Sequence, residues 1–147
     1  MRPSDDHESV HTGITNSADC RGVAKVRYFA LAFVFVWFFA GGIAHFALTE
    51  AFLPIVPPWI QFPLAAVYVS GVFEVIGALA LLPRRSRAWS GVGLIVLTIC
   101  VSPANIYMWT HPQLFPGISE GLLGARLVVQ VLLIACIWRA TRVDRER

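Results

Sequence analysis

Residues 28–49 carry no formal charge. As a helix, such a stretch is long enough to cross the hydrocarbon core of a bilayer, for which about 20 apolar residues suffice. Three further apolar stretches follow, and together they predict spans near 27–48, 62–82, 88–108 and 119–138. The second ends at Pro83, ahead of Arg84, Arg85 and Arg87, and the third carries Pro103 towards its end. The fourth has to take in Arg126, because only 12 residues separate that arginine from Arg139. The expected fold class is therefore all-α, a transmembrane four-helix bundle. Composition agrees: 56% of the 147 residues are hydrophobic and 14% charged, where soluble domains carry about 25% charged residues. A soluble chain this short leaves too much of its surface in water to hide that surplus.

The remaining charges alternate from loop to loop. Arg21, Lys25 and Arg27 precede the first span, three arginines join the second to the third, and Arg139, Arg142, Arg145 and Arg147 follow the fourth. Residues 49–61 and 109–121 contain no Lys or Arg. Cytoplasmic loops are enriched in Lys and Arg, so both termini are expected in the cytoplasm, in a multi-pass protein of the cell (inner) membrane. So strong a bias argues against the dual topology of small multidrug exporters. The basic residues flank spans instead of forming a patch interleaved with aromatics, which speaks against nucleic acid as a partner. Residues 25–140 form the expected membrane domain. Residues 1–24 read as a polar, disordered tail without the apolar core of a secretory signal, and residues 141–147 as a basic C-terminal tail.

Cys20, Cys100 and Cys136 contain no C-x-x-C pair, so neither a thiol redox motif nor a zinc site has its spacing, and no metal site is expected. His7 and His11 lie in the polar tail, and His45 has no second histidine at its depth to hold a haem between two spans. The segment 49–61, T-E-A-F-L-P-I-V-P-P-W-I-Q, has three prolines, which forbid a regular helix, yet it is too apolar for a free loop. It reads either as a proline-rich cap over the outer mouth of the bundle or as a plain interfacial connector.

Two formal charges fall well inside spans, Glu74 and Arg126. A charge near the bilayer centre costs about 2.5–3.5 kcal/mol on insertion scales, and an interhelical Glu74–Arg126 pair would remove most of that cost. At 100° per residue, Val67, Ser70, Glu74, Gly77 and Leu81 share one face, as do Gly91, Thr98, Ser102 and Asn105. Arg126 and Gln130 lie one turn apart, and His45 lies one turn after Gly41. Small residues such as Gly41, Gly71, Gly77 and Gly91 allow close helix approach. These positions fit two readings. One is a pocket lined by His45, Glu74, Asn105, Arg126 and Gln130, candidates for ligand binding or proton exchange. The other is a packed bundle in which the same residues fix helix register.

The stretches G-G-I-A-H-F at 41–46, L-P-I-V-P-P-W at 53–59 and V-S-G-V-F-E-V-I-G-A-L-A-L-L-P at 69–83 resemble the DoxX-like membrane proteins. So do S-P-A-N-I-Y-M at 102–108 and R-L-x-x-Q at Arg126–Gln130. The resemblance covers about residues 27–140. It implies a four-helix membrane protein and brings with it relatives named as the quinone-reducing subunit of a thiosulfate oxidoreductase, or tied to oxidative-stress complexes and amine dehydrogenase maturation. His45, Pro57, Gly71, Glu74, Pro103, Asn105, Arg126 and Gln130 match its motif positions. The expected function is that of an accessory membrane protein with a pocket for a small apolar molecule such as a quinone, serving a membrane redox complex. Such a protein is at most a quinone-interacting subunit of an oxidoreductase, drawing electrons from a membrane or peripheral partner. The rivals are a non-catalytic scaffold or assembly protein, and a small-molecule transporter formed as a homo-oligomer.

Overall fold

A computed structural model describes the backbone of residues 8–142, with side chains from Lys25 onward. The described chain is helical, without strands: α1 Glu8–Ala47, α2 Thr49–Phe52, α3 Pro63–Ala80, α4 Arg87–Thr110 and α5 Glu120–Arg142, with single 3-10 turns at Leu53–Ile55 and Pro112–Leu114. Four segments are long and apolar enough to cross a membrane: Lys25–Ala47, Pro63–Ala80, Arg87–Thr110 and Glu120–Arg142. They match the four expected spans to within a few residues. The chain is a multi-pass membrane protein, and its exposed surface is that of one: Phe29, Trp89 and Val131 are each more than 60% exposed on the outside of the helices.

α1 begins earlier than its membrane span. It runs back to Glu8 through polar residues for which composition suggests no regular structure. Adding turns to an existing helix avoids the cost of nucleating one, and the span supplies that nucleus. Expectations for residues 1–7 and 143–147 lie outside the described residues.

Side chains close the helix ends where the backbone runs out of partners. The Thr49 hydroxyl donates to the carbonyls of His45 and Phe46 at the end of α1. Pro63 opens α3, where its missing N–H costs nothing. The far end of α3 is tied by the next helix: the Ser86 hydroxyl donates to the Ala80 carbonyl, and the Arg87 guanidinium to those of Leu81 and Leu82. Arg87 is buried in doing so. At the end of α4, Thr110 and His111 bond the Tyr107 carbonyl.

The long helices form a ring in which α1 packs on α3, α3 on α4, α4 on α5, and α5 back on α1. This places α3 and α5 at diagonal corners. The arginine-bearing turn and the end of α5 mark one end of the bundle, the Arg-rich end. Residues 48–62 and 111–119 mark the other, the Pro-rich end.

Close approach is set by glycines. A Cβ on Gly42 would lie 2.8 Å from the Gly71 carbonyl oxygen and 2.7 Å from Val75 Cγ2, and a Cβ on Gly71 would lie 2.8 Å from His45 Cβ. The α1 and α3 backbones therefore touch. Gly77 makes room for Leu94 between α3 and α4, and Gly91 for Thr141 between α4 and α5.

Two apolar clusters result. The larger occupies the Arg-rich half and joins all four spans through Leu31, Val34, Phe38, Ala78, Leu81, Leu94, Leu133 and Ile137. The smaller, Met108, Phe115 and Leu123 with Ile55 and Ile118, closes the Pro-rich end. Ile55 comes from the proline-rich segment, Pro57 is fully buried, and Trp59 meets Tyr107 edge-on at 5.6 Å. The segment thus packs as a cap onto α4 and the apolar cluster at the Pro-rich end.

Candidate functional site

Between the two apolar clusters lies a layer of polar side chains, supplied by all four spans. One group sits where α1 crosses α3. The His45 Nδ1–H donates to the Gly41 carbonyl at 2.9 Å, one turn earlier on α1. Since a carbonyl only accepts, this bond puts the proton of a neutral imidazole on Nδ1. Glu74 Oε2 lies 3.8 Å from the same nitrogen. Both side chains are mostly enclosed, 14% and 12% exposed. The carboxylate fits against the bare Cα of Gly41, where a Cβ would fall 2.8 Å from Oε2. Phe52 of the cap stacks on the imidazole, ring centroids 4.2 Å apart. The cap and the His45–Glu74 group are therefore one assembly.

The second group joins α4 to α5. Gln130 Nε2 donates to the Thr98 carbonyl at 2.6 Å and to the Ser102 hydroxyl at 2.9 Å, and its Oε1 accepts from Asn105 Nδ2 at 3.1 Å. Thr98 and Ser102 in turn donate to carbonyls of their own helix, those of Leu94 and Thr98. Both amide hydrogens of the buried Gln130 are thereby used. Asn105 keeps its carbonyl oxygen, and it is half-buried.

Arg126 differs from the expectation. It does not pair with Glu74: the carboxylate's neighbour is His45, and Arg126 makes no hydrogen bond or ion pair to the described residues. The reason is the ring order of the helices, which puts α3 and α5 at opposite corners. Arg126 also lies one turn beyond Gln130 towards the Pro-rich end, with its side chain exposed. The five candidates are thus distributed as His45 with Glu74, Asn105 with Gln130, and Arg126 apart. Among the described residues no set of three His, Cys, Asp or Glu gathers as metal ligands would.

Sequence reasoning placed Thr98 and Ser102 on the face of Asn105, and they are indeed Gln130's partners. It missed Phe52 and Gly42. The cap's aromatic had no periodicity to assign it, whereas the adjacent glycines at 41 and 42 already marked the closest helix approach.

A family model described as a domain of unknown function, DUF8561, matches residues 32–141, which take in the second and third spans, most of the first and fourth, and both polar groups. No curated protein and no solved structure matches the chain.

Proposed function

The chain belongs to the DUF8561 family, and we propose that it is an accessory membrane protein whose polar layer receives a small apolar molecule with hydrogen-bonding carbonyls, such as a quinone, within a membrane redox complex. Glu74 carries this reading. A carboxylate at membrane depth costs several kcal/mol unless it is paired or functional, and its polar neighbour among the described residues is an imidazole at 3.8 Å. The bundle gives up a side chain at Gly41 to seat it. His45 and Glu74 are the groups that exchange protons with the ligand. Arg126 and the Asn105 amide are donors for its carbonyl oxygens. Reducing a quinone to its quinol takes two electrons and two protons. In this reading the electrons come from a partner protein and the protons pass through His45 and Glu74.

The DoxX-like motifs support the same assignment, since His45, Glu74, Asn105, Arg126 and Gln130 all fall on them. The charge alternation supports a cytoplasmic membrane with both termini inside and the cap outside. A scaffold reading is favoured by one observation, the satisfied Gln130 network, whose bonds are of a kind that specifies helix packing.

The test is to extract the protein in native lipid particles and identify its bound small molecules by mass spectrometry, in wild type, Glu74→Gln and Arg126→Ala. The expected result is a stoichiometric carbonyl-bearing apolar ligand, lost from folded variants. Bulk lipid alone in the wild type, with both variants unchanged in occupancy and melting temperature, refutes the site. Retained partner complexes with lowered melting temperature assign the polar layer to packing.

A further inference from the structure

The three arginines of the α3–α4 turn look equivalent in sequence but face different surroundings. Arg87 is buried and spent on the carbonyls of Leu81 and Leu82. Arg84 is exposed, and its Nη2 donates to the Tyr28 hydroxyl of α1 at 3.4 Å, which brings the guanidinium beside that helix. Arg85 is exposed and makes no hydrogen bond or ion pair to the described residues. Lys25 is exposed on α1, one turn before Tyr28. Residues 25–142 contain three carboxylates, Glu50, Glu74 and Glu120. Glu50 and Glu120 stand at the Pro-rich end and Glu74 lies inside α3. Nothing acidic among the described side chains therefore offsets this cluster.

Beside the cations runs an apolar surface turned outward. Phe29 follows Tyr28 and is 76% exposed, and Leu82 precedes the turn and is 60% exposed. Two exposed guanidiniums and a lysine thus stand at the Arg-rich end, close in sequence to apolar side chains that face outward. That is the charge and polarity profile of an anionic phospholipid, a phosphate above hydrocarbon chains.

We propose that an anionic phospholipid binds between α1 and the α3–α4 turn, its phosphate on Arg84 and Arg85 and its chains along Phe29 and Leu82. Arg84 and Arg85 supply guanidinium donors of the kind that phosphates favour. Lys25 adds charge without geometry. The site is separate from the polar layer and stands whether or not that layer binds a ligand.

The experiment reconstitutes the full chain in particles made from equal parts phosphatidylglycerol and phosphatidylcholine and counts retained lipids by native mass spectrometry. Wild type is expected to retain phosphatidylglycerol preferentially. Each arginine near a charged membrane surface is worth about a fivefold preference, so Arg85→Gln is expected to lose about that much. Because Arg85 touches nothing described, its variant should melt like wild type in pure phosphatidylcholine. Tyr28→Phe removes the contact but no charge, so it should keep most of the selectivity and lose less than Arg84→Gln does; a loss as large as that of Arg84→Gln overturns the assignment of the phosphate to the guanidinium charge. The proposal is overturned if wild type shows no selectivity, or if the double variant Arg84→Gln, Arg85→Gln keeps it. It is overturned equally if inorganic phosphate at millimolar concentration displaces the lipid or stabilises the protein as well as the lipid does, which would make this a free-anion site.

Discussion

Replacing Gly42 with alanine tests the claim that α1 and α3 meet backbone to backbone. The new Cβ would fall 2.8 Å from the Gly71 carbonyl oxygen, where ordinary contact begins at 3.4 Å. That oxygen belongs to a helix and cannot rotate away, so the two helices have to part by about 0.6 Å at the crossing. A gap of roughly that size forfeits about a quarter to a half of each dispersion contact, and over an interface of about 40 atom pairs at about 0.15 kcal/mol each the loss is roughly 1.5–3 kcal/mol. Alanine recovers about 0.5–1 kcal/mol through its better helix propensity. The expected net destabilisation is about 0.5–2.5 kcal/mol, comparable with the roughly 1–3 kcal/mol usual for overpacking. Gly93 is the internal control, because a Cβ there meets nothing within 4 Å. The assay is SDS-titrated unfolding in mixed micelles, followed by circular dichroism, for wild type, Gly42→Ala and Gly93→Ala. If Gly42→Ala unfolds at the same SDS fraction as Gly93→Ala, the close crossing is wrong, and with it the seating of Glu74.

Two further substitutions separate packing from function. Gly41→Ala places its Cβ against the end of the Glu74 side chain, which can swing aside. Its stability should stay within about 0.5 kcal/mol of wild type, while ligand occupancy in native lipid particles falls several-fold; unchanged occupancy would detach Glu74 from binding. Gln130→Leu removes three hydrogen bonds between α5 and α4. Interhelical polar contacts in membranes average about 0.6 kcal/mol with a maximum near 1.7, so a loss of about 1–2 kcal/mol in the same SDS titration is expected, and no loss would show that the network does not hold the pair together.

The membrane architecture was legible because hydropathy and charge are local properties: Pro83 with its arginines, and Arg139 beyond Trp138, mark ends that a residue-by-residue reading finds. Helical periodicity likewise put Thr98, Ser102 and Asn105 on one face and Cys100 on another, and Cys100 is exposed. Periodicity assigns faces, however, and not neighbours. It brought Glu74 and Arg126 inward but gave no means of knowing that α3 and α5 stand diagonally, which is why the expected pair does not form. The same limit hid Phe52 over His45, a contact across a segment with no repeat. It also hid the different fates of Arg84, Arg85 and Arg87, identical in a tally of positive charge and separated only by a short turn's fold.

The Gln130 network bears on how the chain is made. The α3–α4 hairpin carries local ties: Ser86 and Arg87 bond to carbonyls five or six residues earlier. Thr98 and Ser102 satisfy themselves on their own helix. Asn105 is the exception, since its amide bonds to a residue on α5, which follows α4 in the chain. Without α5, the Asn105 amide lacks the side-chain partner that this fold gives it. Gln130 is thus the residue that completes the polar layer on α4, and α5 brings it there.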